Sequence, residues 1–166
     1  MSIGKPKLYL ETTVPSYLVA RASTDILIAG HQHVTRAWWE YHLHDYEIFI
    51  SELVIEEAAR GDPEAAKRRC VAVDGFHLLQ VTDLAVNLAG VYLHELPLPA
   101  KAEADALHLA LATIHEMDYL LTWNCRHIAR GSVKRALPAV NAARGYGTPT
   151  ICTPEELLYE DPGSVD

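Results

Sequence analysis

The chain has 166 residues, a length that suits one domain, and its 49% hydrophobic content supplies a core without metal or disulfide staples. Fourteen basic residues against 22 acidic ones give a formal net charge of -8, which argues against a protein that wraps duplex DNA on a broad positive face. Cys70, Cys125 and Cys152 are odd in number and form no CxxC, so a reducing, cytoplasmic compartment is expected, and no stretch approaches the roughly 20 apolar residues that cross a bilayer.

In chain order, KLYLE at 7–11 reads as a strand, and in TTVPSYL Pro15 suits an early helical position with Thr12 or Thr13 as cap. DILIAGHQHVTRAWWEYHL reads as a long helix with Ile26, Ile28, Ala29, His33, Ala37 and Trp38 near one broad face, followed by a strand at 46–50. Ser51 is placed to cap the helix carrying Val54, Ile55, Glu57 and Ala58, which stops at Gly61. Asp62 then caps another, with Pro63 in its first position. LLQVTD holds a short strand and a Thr82 or Asp83 cap, LAVNLAGVYLHE is helical, and LPLPA breaks it. Helix 101–117, strand 119–122, a helix through the 130s and a strand near 149–151 follow. Thr153-Pro154-Glu155-Glu156 has capping-box spacing and opens a last short helix. Strands separated by helices predict a largely parallel sheet with helices on both faces.

In such a sheet, catalytic groups gather at the carboxyl edge. Glu11 closes the first strand, Glu57 follows the second, Asp105 opens ADALHLALA, and Asn124 follows YLLTW. Carboxylates brought into one cleft repel one another unless a cation neutralises them, and hard oxygen ligands suit magnesium or manganese. That pattern points to phosphate-ester chemistry. Neither GxGxxG nor GxxxxGK[ST] occurs, so the common nucleotide-binding loops are excluded. Glu57 competes with Glu56, about 100° away around the helix, so only one of them points squarely into a cleft. Thr12 and Thr122 are candidates to orient ligands or phosphate, and Arg126 and His127 to contact substrate or support the site. Arg126, Arg130, Lys134 and Arg135 together border a possible groove for a single strand. His108, three residues beyond Asp105, reads as a packed or supporting histidine, and Trp123 as either a base-stacking or a structural ring. Trp38, Trp39 and Tyr41 read as core or interface residues.

LYLETTV, SELVIEEAARG, DALHLALA and LLTWNCRH together resemble the motifs of PIN-domain nucleases, and more closely the VapC-type toxin ribonucleases of type II toxin–antitoxin systems, over about residues 7–158. The resemblance implies one three-layer α/β/α PIN-like domain over 1–166 around a central, mostly parallel sheet, with a short tail at 159–166. It implies metal-dependent hydrolysis of RNA with Glu11, Glu57 and Asp105 as metal-site acids and Asn124 as the fourth site residue. Mg2+, or Mn2+, is the implied cofactor. A homodimer and a small antitoxin are the implied partners, with no membrane contact. Glu11 stands where the family usually has Asp, and Asn124 where Asp is common, so one ion is expected rather than two. A PIN nuclease without a toxin role, and an inactive RNA- or protein-binding module, are the other readings the family offers.

Overall fold

Leu8, Tyr9 and Leu10 are completely buried, which marks β1 (Lys7–Leu10) as a strand covered on both faces. The structure, a computed structural model, describes residues 4–160; the tail expected at 159–166 lies mostly outside the described residues. β1 is joined by β2 (Glu47–Ser51), β3 (His77–Leu79), β4 (Tyr119–Leu121) and β5 (Thr150–Cys152) in a five-stranded sheet of order β3-β2-β1-β4-β5. Every pairing is parallel, with Leu8 opposite Ile48 on one side and Tyr119 on the other. The chain builds outward from β1 through β2 to β3, then returns to β4 on the far side of β1. The order therefore reverses between β1 and β4, and the carboxyl ends of these two strands flank a crevice.

The helices are α1 (Thr13–Val19), α2 (Ile26–Tyr41), α3 (Glu52–Ala58), α4 (Pro63–Val73), α5 (Asp83–Glu95), α6 (Glu103–Ile114), α7 (Gly131–Ala142) and α8 (Pro154–Leu157). α1 packs on α2 and α4, and α8 on α2, forming one layer; α5 and α6 pack together as the other. α7 joins the second layer through a buried polar knot. There the Tyr92 hydroxyl donates to Asn141 Oδ1 and lies 3.0 Å from Thr113 Oγ1. The expected three-layer α/β/α architecture with a parallel central sheet is the one observed. Among the described residues no helix is long and apolar enough to cross a membrane.

Local signals account for most boundaries. Ser51, Asp62 and Thr82 accept from the backbone N–H groups of Val54, Ala65 and Ala85 and so cap α3, α4 and α5. Glu156 receives the Thr153 N–H at 2.6 Å in the capping box that opens α8. Three expectations need correction. Thr12 does not cap α1, because its backbone is already helical and its hydroxyl is used on Glu57. α3 ends at Ala58 rather than Gly61, which takes a positive φ of 83° in the following turn. The buried face of α2 is Gln32, Thr35 and Trp38, while Ile26, Ile28 and His33 are exposed. Polar residues can line that face because their groups are bonded. Gln32 donates to Arg21 O and accepts from Ser23 N–H, and the Thr35 hydroxyl donates to His31 O.

Replacing Tyr92 by Phe leaves Asn141 with an unmet buried acceptor at the junction of α5, α6 and α7. Urea unfolding should register a loss of roughly 1–3 kcal/mol.

Candidate functional site

Glu11 follows β1 directly, and its N–H extends the ladder to Leu121 O at 3.1 Å, which holds the residue at the crevice. The residue is only 3% exposed. Its Oε2 receives the Thr13 N–H at 3.1 Å, the Thr122 hydroxyl at 2.7 Å and the Thr13 hydroxyl. Oε1 takes none of these bonds and lies 4.0 Å from His108 Nε2.

Glu57 enters from α3. Its Oε1 accepts from the Thr12 hydroxyl at 2.7 Å and lies 2.6 Å from His108 Nε2. Neighbouring Glu56 is exposed and paired with Arg60, so the helix register turns Glu57 rather than Glu56 toward the crevice. His108, on α6, is 1% exposed, and its Nδ1 is hydrogen-bonded to the Tyr9 hydroxyl at 2.7 Å. Tyr9 in turn bonds Ser51 Oγ at 2.8 Å, the same oxygen that caps α3. One donor atom each from Glu11, Glu57 and His108 lies within 4.8 Å of the other two.

A second polar group adjoins the first. Asp105 Oδ1 accepts from Asn124 Nδ2 at 2.8 Å, and its Oδ2 is 2.6 Å from His127 Nδ1. Asn124 Oδ1 receives the His127 N–H at 3.1 Å, and the Asn124 N–H donates to Thr122 Oγ1 at 2.9 Å. Thr122 thus links the two groups. Of the residues singled out in the sequence, Glu11 and Glu57 come within 4.8 Å of each other around His108, Thr12 and Thr122 each hold one of them, and Asp105, Asn124 and His127 form the adjoining group. Arg126 is exposed in the turn after Asn124.

Two residues carry more of the site than their sequence positions suggest. His108 sits at the centre of the cluster; the signal for it was its position one helical turn beyond Asp105. Thr13 binds Glu11 twice and also receives the Trp123 N–H at 2.9 Å. Tyr9 and Ser51 carried no sequence signal for their part. The Trp123 ring is packed away from solvent: it stacks on His31 at a centroid distance of 4.1 Å and donates through Nε1 to Thr35 at 2.7 Å. It supports the crevice wall.

Burial pushes the Glu11 carboxyl above its ordinary range, opposed by the charge of His108 and the threonine donors. Burial acts the same way on Glu57, but the His108 hydrogen bond and charge, with help from Thr12, outweigh it and bring that carboxyl below the ordinary range. Burial pulls His108 down, while its bond to Glu57 and the charges of Glu11, Glu57 and Asp105 prevail and raise it. Two carboxylates this close, one of them buried, call for a positive charge. A divalent cation fits: the donors are deprotonatable O and N atoms in mutual reach, and Glu11 Oε1 is unengaged.

No family model matches the chain, and no curated protein matches it. Among solved structures it is similar to VapC20 of Mycobacterium tuberculosis, described as a sarcin–ricin loop cleaving toxin, with 14% identity, a TM-score of 0.58, and coverage of 77% of this chain and 98% of that one. It is also similar to VapBC2 of Rickettsia felis, solved bound to a DNA fragment from their promoter, with 14% identity, a TM-score of 0.56, and coverage of 88% and 97%. The chain has the fold of these VapC toxins. Within that fold, a cluster of two glutamates and a histidine stands at the crevice, a constellation compatible with a metal-dependent nuclease.

The shifted groups set the pH dependence of the ion-free protein. Glu11 and His108 are both raised, so their contributions are complete below the unfolded values and are lost as pH rises through the folded ones. Glu57 is lowered, so its contribution is lost as pH falls below the carboxylate range. With chelator present, the melting temperature should fall as pH rises from about 6 to 9, past the ordinary histidine value. Excess divalent cation should reduce that fall, and Glu11→Gln should both flatten it and raise the melting temperature at pH 8.

Proposed function

We propose that the chain is a metal-dependent endoribonuclease that hydrolyses RNA phosphodiester bonds and serves as the toxin of a toxin–antitoxin pair. The observation that carries this reading is the convergence of Glu11, Glu57 and His108 at the crevice between β1 and β4. The fold shared with VapC20, itself described as a sarcin–ricin loop cleaving toxin, supports it.

In this reading Glu11 and Glu57 hold a cation, Mg2+ or Mn2+, and Asp105 holds it through water. Such an ion, when bound, activates a water nucleophile and stabilises charge on the phosphate oxygens. Glu11 is fixed for the task because three donors pin Oε2 and leave Oε1 facing the space shared with His108. Glu57 is held by Thr12 and orients the attacking water. Asn124 positions Asp105 and His127 and fixes water or the scissile phosphate at the rim. Arg126, exposed beside Asn124, supplies positive charge to the RNA backbone, which a chain of net charge -8 otherwise repels. The assembly proposed is a homodimer inhibited by a small antitoxin, acting in the cytoplasm; VapBC2 lends analogy to the toxin–antitoxin pairing.

The test is cleavage of a panel of single- and double-stranded RNA and DNA by purified protein, with EDTA, Mg2+ or Mn2+. RNA alone should be cut, only with an ion present, and Asp105→Asn and Glu57→Gln should each lower the rate by about 100-fold or more. Intact RNA across the panel, from folded protein free of antitoxin and loaded with ion, would replace this reading with that of a binding module.

A further inference from the structure

His108 is the one member of the cluster that an all-carboxylate centre does not need, and it is the most firmly oriented. We propose that its Nε2 is itself a ligand of the bound cation, and that this nitrogen makes the centre select a first-row transition ion, Mn2+ among them, over Mg2+. The proposal rests on the metal-centre reading above but not on what the nucleic acid is.

The imidazole is 1% exposed and engaged at both nitrogens. On the Nδ1 side its partner is the Tyr9 hydroxyl, which is itself bonded to the Ser51 hydroxyl. Hydroxyl groups donate or accept by rotating one proton, so this pair can serve either tautomer of the ring. When Tyr9 donates to Nδ1, Nε2 carries the hydrogen and donates to Glu57. When Tyr9 turns its hydrogen to Ser51, Nδ1–H donates to Tyr9 and the Nε2 lone pair faces the two glutamates. The second state is that of a metal-bound histidine, whose remaining ring N–H is characteristically held by an oxygen that fixes its tautomer. Nε2 lies 2.6 Å from Glu57 Oε1 and 4.0 Å from the unengaged Oε1 of Glu11, so an ion entering between the three would replace the hydrogen bond of Nε2 to Glu57.

The carboxylate expected to complete the set is occupied elsewhere. Each Asp105 oxygen is in one hydrogen bond, with Asn124 Nδ2 or His127 Nδ1, which suits contact with the ion through water, and Asp105 is not among the three residues whose donor atoms lie within 4.8 Å of one another. A ligand trio of two carboxylates and one imidazole follows. Mg2+ favours oxygen ligands and gives up its water reluctantly, whereas imidazole nitrogen suits the transition ions, and Mn2+ accepts the carboxylates as well.

The experiment uses the whole protein, stripped with EDTA and dialysed, with no RNA present. Mn2+ alone is titrated by EPR, Mg2+ is added as competitor, and pulsed EPR reads nitrogen coupling to the bound Mn2+. Expected are one Mn2+ held about tenfold or more tighter than Mg2+, and the 14N coupling of a directly bound imidazole. His108→Gln should remove that coupling and bring the two affinities together. Tyr9→Phe keeps the ring and provides a second variant should His108→Gln fold poorly. It should retain the coupling and weaken Mn2+ by roughly tenfold, as loss of an orienting partner does. Mn2+ bound without nitrogen coupling, coupling that survives His108→Gln in folded protein, or equal affinity for both ions would overturn the proposal. Failure of both ions to bind would overturn the metal-centre reading with it. Nitrogen-coupled Mn2+ in a protein that leaves RNA intact would uphold the ligand assignment and remove only the nuclease reading.

Discussion

The structure is organised around a carboxylate that has almost no access to water. A charge so placed is tolerated only where donors and a positive partner replace the lost hydration, and Glu11 obtains its donors from two separate stretches of chain. Thr13, in the first turn of α1, supplies two, and Thr122, immediately beyond β4, supplies the third. The pairing of Leu10 with Leu121 brings these stretches side by side. Because side chains alternate along a strand, a slip of one residue between β1 and β4 would carry Thr122 to the wrong face and leave Oε2 short of a donor. Strand register and the position of the carboxylate are therefore one constraint.

A second chain of bonds ties the other layers to the same point. Ser51 ends β2 and caps α3, the helix that delivers Glu57; its hydroxyl also bonds Tyr9, which lies in the middle of β1 and bonds His108 on α6. His108 returns to Glu57, closing a loop through β2, β1, α6 and α3. Rigid elements, rather than loops, hold each member, and no member can move without disturbing the rest. Glu11, 4.0 Å from His108, carries the connection through Thr122 to Asn124 and on to Asp105 and His127.

What the sequence revealed and what it concealed divide by range. Caps and strand runs are local, so Ser51, Asp62, Thr82 and the Thr153 box were readable from spacing alone. Helix geometry allowed only one of Glu56 and Glu57 into the cleft, and the family resemblance with the spacing to Gly61 chose Glu57. The buried face of α2 was misread because periodicity counts apolar residues, and here Gln32 and Thr35 go inside with their polar groups satisfied by Arg21, Ser23 and His31. Partners far apart in the chain left no local trace. His108 is 51 residues from Glu57 and 99 from Tyr9, so its central place emerges only after the sheet has aligned the strands. Thr13 looked like a capping residue, and its hydroxyl was instead recruited by a glutamate whose burial the pattern of KLYLE did not disclose.

The sign of the charges gives the cluster a further logic. Buried Glu11 and partly exposed Glu57 stand on either side of one imidazole, and a phosphodiester approaching this crevice would add another negative charge. At low dielectric, like charges a few ångströms apart repel strongly. In the proposed reaction the cation is accordingly needed for substrate to enter as well as for bond cleavage, and ion and RNA should bind with mutual reinforcement. An acidic chain can then handle an acidic polymer without a broad basic face, since the decisive positive charge is carried by the ion and Arg126 needs only to guide the backbone beside it.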